Sequence, residues 1–255
     1  MRNILMHIAM LLLIFATQPA RAQIGEHRNE LALGVNAGYN LSSVGFNPSI
    51  KQGMLGGITA GVSVRYTCEK YFSTVCAIVG EVNISKIGWK EDIIDEEDQP
   101  VINSVTGEEE EFKREITYVQ IPLLARLGWG RERKGVQGFF QLGPQVGYYL
   151  SDKSTSNFDY DSRNVSDRIG AMQDATNDTL DIQNKLDYGI VGGAGIEFSH
   201  PKAGHFILEA RYYYGLGDIF KNSKSDYFGR SNNSVITIKF TWLMDIVRSK
   251  NDKIR

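Results

Sequence analysis

The chain has 255 residues, of which 28 are Lys or Arg and 30 are Asp or Glu, for a formal net charge of −2. That balance argues against nucleic acid as a partner. The length fits one domain, and the mean hydropathy of −0.25 discriminates nothing, because strands that alternate and loops that dilute them both lower it.

Met1 to Ala22 reads as a secretory signal. Arg2 supplies the positive start, Ile4 to Ala16 the apolar run, and Ala20-Arg21-Ala22 the small-x-small pattern, so cleavage is expected between Ala22 and Gln23. Loss of Arg2 and Arg21 leaves 26 basic against 30 acidic residues, a net charge of −4. Beyond Ala22 no apolar run approaches the ~20 residues of a spanning helix, which excludes a helical membrane protein. A secreted soluble protein and an outer-membrane barrel both remain.

After a polar lead-in, residues 23–30, eight segments alternate apolar and polar residues with period 2. They are Leu31–Val44, Gly53–Tyr66, Phe72–Trp89, Thr117–Trp129, Val136–Ser151, Lys185–Ser199, His205–Phe220 and Ser234–Met244. Thr117–Trp129 states the pattern most plainly. Thr117, Val119, Ile121, Leu123, Ala125, Leu127 and Trp129 share one face, with Gln120 and Arg126 on the other. A membrane strand needs only ~9–11 residues to cross the bilayer, facing lipid on one side and a polar lumen on the other.

The connections separate the two exported readings. Gly45–Gln52, Lys90–Lys113, Asp152–Asn184 and Lys221–Asn233 are long, polar and mostly charged, and they alternate with the short turns Thr67–Tyr71, Gly130–Gly135 and His200–Gly204. Outer-membrane barrels segregate loop length in this way, with short periplasmic turns and longer external loops. Tyr66, Phe72, Trp129, Phe140, Phe198, Phe206 and Trp242 fall at the short-turn ends of the apolar face. Tyr39, Tyr148, Tyr188, Tyr212 and Tyr214 fall towards the long-loop ends. Two aromatic belts are expected where rings sit at both membrane interfaces.

With the apolar face outward, Arg65, Glu81, Arg126, Glu197, Glu209, Arg211 and Lys239 point inward. An eight-stranded barrel is just wide enough for side chains to fill, so these charges are expected to pair and plug it. Pro122 and Pro144 each remove a ladder hydrogen bond, and bulges are expected at both. Cys68 and Cys76 could bridge in an exported chain. A tight turn centred near Lys70 keeps the thiols apart; a turn running to Val75 sets them opposite one another. Ten acids lie between Glu91 and Glu111 without the offsets and turn glycine of a calcium loop, which reads as a solvated face. Asp178-Thr179-Leu180 resembles an O-glycan acceptor site. The chain beyond the signal holds only His27, His200 and His205, and no Gly-x-Ser-x-Gly, HExxH or Gly-rich phosphate loop. Neither catalysis, a metal nor a cofactor is expected.

Ile116–Trp129, ITYVQIPLLARLGW, resembles the Y-x-x-I-P-L-L strand of the PorT-like outer-membrane barrels of Gram-negative bacteria, often labelled porin family. LGPQVGYYL at Leu142–Leu150 resembles the following strand there, and RYYYGLGDIF at Arg211–Phe220 the penultimate one. The Gly-rich first strand LALGVNAGYNLS, Leu31–Ser42, and the order of the pieces also fit. The basic tail at Lys250–Arg255 departs from the family's usual ending, so Phe240 and Trp242 must supply the aromatic insertion signal. The resemblance covers roughly Leu31 to Trp242 and leaves the activity open, since one member serves in protein secretion; the barrel is expected over residues 31–246, followed by a basic tail at residues 247–255.

These readings converge on an all-β fold, an eight-stranded antiparallel up-and-down transmembrane β-barrel in the outer membrane, with long loops external and both termini periplasmic. The expected role is structural, or that of a membrane partner of envelope or secretion proteins. The alternatives are a small-solute porin and a surface-binding protein acting through the acidic loops. Expected partners are outer-membrane lipid and lipopolysaccharide, the barrel-insertion machinery, and secretion-system or surface proteins.

Overall fold

The computed structural model describes residues 26–103, 106–132, 134–158, 180–223 and 228–248. The signal segment with its Ala22–Gln23 junction, most of the third long loop with the Asp178-Thr179 part of the acceptor motif, and nearly all of the basic tail lie outside the described residues.

Among the described residues, nine strands form one sheet. They are β1 (Glu26–Asn47), β2 (Gln52–Gly53), β3 (Leu55–Tyr71), β4 (Thr74–Asp92), β5 (Glu111–Gly130), β6 (Gly135–Ser156), β7 (Leu186–His200), β8 (Gly204–Asp218) and β9 (Arg230–Val247). The two-residue β2 only pairs with the end of β4. The other eight close a ring in the order β4-β3-β1-β9-β8-β7-β6-β5, with β5 returning to β4, and every pairing is antiparallel. Closure matters because hydrocarbon offers no water to an unpaired backbone group. β1 begins five residues before the expected Leu31, because the lead-in pairs with the end of β3 (Glu26 opposite Lys70).

Alternation holds around the ring. Ile121, Leu123, Leu142, Val146, Ile190, Ile196, Leu208 and Ile238 are exposed, whereas Gln120, Arg126, Gln141, Gln145, Glu197, Glu209 and Lys239 are buried. The aromatic residues of both belts lie on the outer face. On β5 the outer face is apolar from Val119 to Trp129 and turns charged at Glu115, Lys113 and Glu111. That is the length a bilayer-crossing strand needs, ~9–11 residues. The strands, at 15 to 22 residues, therefore run well beyond one edge of the apolar belt, on the long-loop side.

Some inward glycines answer to backbone proximity. A Cβ on Gly34 would lie 1.8 Å from the Trp242 carbonyl oxygen on β9, and one on Gly193 2.5 Å from that of Ala210 on β8. Adjacent backbones approach there more closely than any other residue allows.

The prolines do not produce bulges. Pro122 pairs with Gln145 and Ala125 with Leu142 in unchanged register, and Pro144 stays opposite Ile190. The β4–β5 and β5–β6 ladders simply lack pairs next to Pro122, so the missing N–H is absorbed by a local gap without an inserted residue. The register shifts lie elsewhere. On β5–β6, Thr117 faces Ser151 and Tyr118 faces Tyr149, and on β1–β9, Leu31 faces Val247 and Ala32 faces Asp245.

The cysteines are free. The turn is the two residues Phe72 and Ser73, with Tyr71 opposite Thr74, so Glu69 rather than Cys68 faces Cys76. A register shift between Thr67 and Glu69 makes Cys68 the extra residue. The thiols miss direct opposition by one position.

A charge on the outer face must be carried into lipid. Leu142→Arg, midway along β6, should destabilise the folded barrel in vesicles by about 2–4 kcal/mol in a urea titration. An unchanged midpoint would place that face outside the hydrocarbon.

Candidate functional site

The interior is built in layers, from the short turns to the long loops. At the short-turn end lies a cavity of about 200 Å³, with exposed His200, Pro201 and Arg248 at its rim and Arg65, Arg126 and Glu197 at its floor. Arg65 Nη1 donates to both oxygens of Glu197 at 2.8 Å, and Arg126 Nη2 donates to Glu197 Oε2. The Arg126 guanidinium also lies 3.6 Å from the centre of the Phe139 ring.

Next along the axis, Arg211 binds Glu81 through both Nη atoms at 2.9 and 2.8 Å and lies 2.7 Å from Glu209. Lys239 Nζ sits 2.5 Å from Glu81 and 3.2 Å from Glu209. Gln141 Nε2 donates to Glu209 at 2.6 Å. Asn83 donates to Glu81 at 2.9 Å, and Asn36 donates to both Asn83 and Ser63 at 2.8 Å. All seven inward charges picked out in the sequence are buried, and they meet in two clusters, three at the cavity floor and four beyond it.

His205, Asp245 and Asp187 also belong to this interior. His205 Nδ1 lies 2.7 Å from Glu197 Oε1, and its Nε2 lies 3.0 Å from Asp245. Asp187 accepts a hydrogen bond from Tyr213 at 2.8 Å. The signal was parity: His205 opens the seventh alternating segment on the same face as Glu209, and Asp245 lies one residue past the eighth, on the face of Lys239.

Ser199, His205 and Asp245 have the residue types of a hydrolytic triad. Here, however, Ser199 donates to Glu197 at 3.1 Å, its hydroxyl is 2.8 Å from His205 Nδ1, and the residue is only 1% exposed. The imidazole is a bridge between two carboxylates, and the serine hydroxyl is spent on one of them. The arrangement clamps β7, β8 and β9 together.

Beyond the polar layers an aromatic cluster closes the long-loop end. Phe46 lies 5.3 Å from Trp89 and 4.7 Å from Phe228, ring centre to centre, and Phe220 lies 5.6 Å from Phe228. Phe112, Ile116, Ile50, Ile93, Val101, Phe158 and Ile182 complete it, so every long connection contributes. The second long loop folds back on itself through bridges Ile94–Pro100 and Ile102–Glu109. Its acids are therefore only partly a solvated face. Glu91 and Glu110 are buried, Glu111 pairs with Lys90 and Lys113, and Glu96, Glu97, Asp98, Glu108 and Glu109 are exposed. Among the described residues no group of three or more His, Cys, Asp or Glu is placed to hold a metal ion.

Breaking a buried pair leaves a charge without its partner. Glu81→Gln should cost about 3–5 kcal/mol in denaturant unfolding of the refolded barrel, because Arg211 and Lys239 would then share Glu209 alone. The double change Glu81→Gln with Lys239→Gln should recover part of the loss. A single change without effect would show that the cluster is hydrated.

The chain is similar to several solved barrels at low identity. Ail, the attachment invasion locus protein of Yersinia pestis, aligns at 14% identity and a TM-score of 0.35 over 84% of this chain and 99% of that one. Neisserial surface protein A aligns at 10% and 0.39, over 83% and 96%. OprG of Pseudomonas aeruginosa aligns at 9% and 0.38, over 86% and 98%. No curated protein matches. A family match, by contrast, covers residues 21–221, and by it the chain belongs to the outer membrane protein beta-barrel domain family.

Proposed function

We propose that this protein is a closed, non-transporting outer-membrane barrel that acts through its two ends, as a structural element or as a membrane partner of other envelope or secretion proteins. One observation carries the reading: two buried ion clusters and an aromatic cap fill the lumen in series. A small-solute porin requires a continuous aqueous path, and the cap lies across it. The resemblance of Ile116–Trp129 to the PorT-like strand supports a place beside secretion components. The long loops face the outside and both termini the periplasm, in keeping with the usual segregation of loop length. Lipid, lipopolysaccharide and the insertion machinery are the partners that any such barrel meets.

A second reading draws on the folded second loop. Glu96, Glu97, Asp98, Glu108 and Glu109 are exposed on a loop pinned by its own bridges, which suits a surface-binding role. Replacing these five acids with Gln would test that role without disturbing the cap.

Orientation and transport are both accessible in cells. With Cys68 and Cys76 replaced by Ser, Asp98→Cys should react with an impermeant maleimide on intact cells, and Lys202→Cys only after the outer membrane is permeabilised. The reverse order would overturn the orientation. A strain lacking the protein should admit small hydrophilic solutes at an unchanged rate; slower entry would overturn the closed-barrel reading.

A further inference from the structure

His205 stands at the start of β8, one residue before Phe206 of the lower aromatic belt, and lines the open cavity at the short-turn mouth. A carboxylate faces each of its ring nitrogens. Nδ1 lies 2.7 Å from Glu197 Oε1 on β7, and Nε2 lies 3.0 Å from Asp245 Oδ1 on β9. Both carboxylates are held in their ionised form by other donors. Glu197 accepts from Arg65 on β3, from Arg126 on β5 and from Ser199 on its own strand. Asp245 accepts from Arg248 at its other oxygen, Oδ2, at 2.8 Å, which leaves Oδ1 for the ring.

A neutral imidazole has one N–H and one bare nitrogen. With Nδ1 bare, its lone pair faces Glu197 Oε1 at 2.7 Å; with Nε2 bare, it faces Asp245 Oδ1 at 3.0 Å. Ser199, whose hydroxyl is 2.8 Å from Nδ1, could turn its proton to the ring only by withdrawing it from Glu197, and the carboxylate would still face the lone pair. Only the imidazolium donates to both carboxylates. Burial and the guanidinium of Arg65 weigh against that charge, and the two direct carboxylate contacts weigh for it. Of the other charged groups around the cavity, Arg126 and Arg248 oppose the charge, while Glu30 and Glu132 favour it, the latter already held by Arg28 and Lys70.

We infer that His205 is held as an imidazolium and acts as a pH-sensitive latch, tying β7, β8 and β9 together at the short-turn mouth. The latch contributes fully below the ordinary imidazole value, about pH 6.5, where the ring is charged in the folded and the unfolded chain alike. Above that value the unfolded chain sheds the proton first, so the contribution declines as pH rises, and it is gone once the folded ring gives up its proton as well. One of the two carboxylate contacts is then repulsive, at the ends of three adjacent strands. If the orientation argued above holds, the ring meets the periplasmic fluid, and the seam at the mouth answers to its pH.

Ring-nitrogen spectra of the full barrel, labelled with ¹⁵N-histidine and folded in detergent micelles, provide the test. The His205→Gln variant assigns the His205 signals against those of the other histidines. At pH about 7.5, above the ordinary imidazole value of about 6.5, both nitrogens of His205 should be protonated in the folded barrel, and the same ring should be mostly neutral in the chain unfolded in guanidinium. A neutral His205 in the folded barrel at that pH would overturn the proposal. Asp245→Asn should lower the proton affinity of the ring by about tenfold; an unchanged affinity would mean that the contact does not hold the charge. The latch itself is read from urea unfolding. Between about pH 6 and about pH 9 the midpoint of the parent barrel should fall more steeply than that of His205→Gln, and parallel curves would contradict the latch. If His205→Gln fails to fold, Asp245→Asn takes its place in both measurements. The protonation of one ring does not depend on which way the barrel faces or whether it conducts, so this failure is distinct from failure of the closed-barrel reading.

Discussion

The pairing of β1 with β9 is the contact on which the rest of the structure depends. Along it, Leu33 to Asn47 find partners in Met244 to Arg230, and the sheet loses its edges. Once the ring is closed in hydrocarbon, each strand must present apolar side chains outward and everything else inward. Eight strands leave an interior only as wide as packed side chains. Four cations and three anions placed there are almost wholly withdrawn from solvent, so they pair across the lumen: Arg65 reaches Glu197 on β7, and Arg211 reaches Glu81 on β4.

The interior changes character along its length for the same reason. Within the bilayer the inner face must be polar enough to hold its charges to one another. Beyond it, where the strands project past the apolar belt, the inner face can be apolar. On β4 the inward series runs Glu81, Asn83, Ser85 and then Ile87 and Trp89. That switch gives Phe46, Phe220 and Phe228 something to pack against, and the long loops fold down onto the barrel's end. Loops tied down in this way are a different surface from mobile hairpins: their exposed acids are held in place, and the barrel has one sealed end and one recessed end.

Period-2 alternation made the strands, their faces and the inward charges legible, because a register error would have moved every apolar residue to the wrong side. Three features were not legible, each for a physical reason. The cap draws single apolar residues, such as Phe158 and Phe228, from segments whose composition is polar, and only the fold brings them together. The absence of bulges at Pro122 and Pro144 could not be read from residue type, because a lost N–H can be accommodated by a gap in the ladder as well as by an inserted residue. The relation of Cys68 to Cys76 turned on a single residue of turn length, which periodicity does not specify. His205 and Asp245 lay within reach of the alternation: His205 reads only as a residue beside a turn, and the eighth segment ends one residue before Asp245.

Closure of the lumen by its own side chains has a direct electrical consequence. Single-channel recording from the refolded barrel in a planar bilayer tests it most directly, provided insertion is shown independently by protease protection. A closed lumen gives a flat baseline from inserted protein across the accessible voltage range. Steady, reproducible unitary openings would mean that water and ions pass the Arg65–Glu197 and Glu81–Lys239 clusters and the cap, and would contradict it.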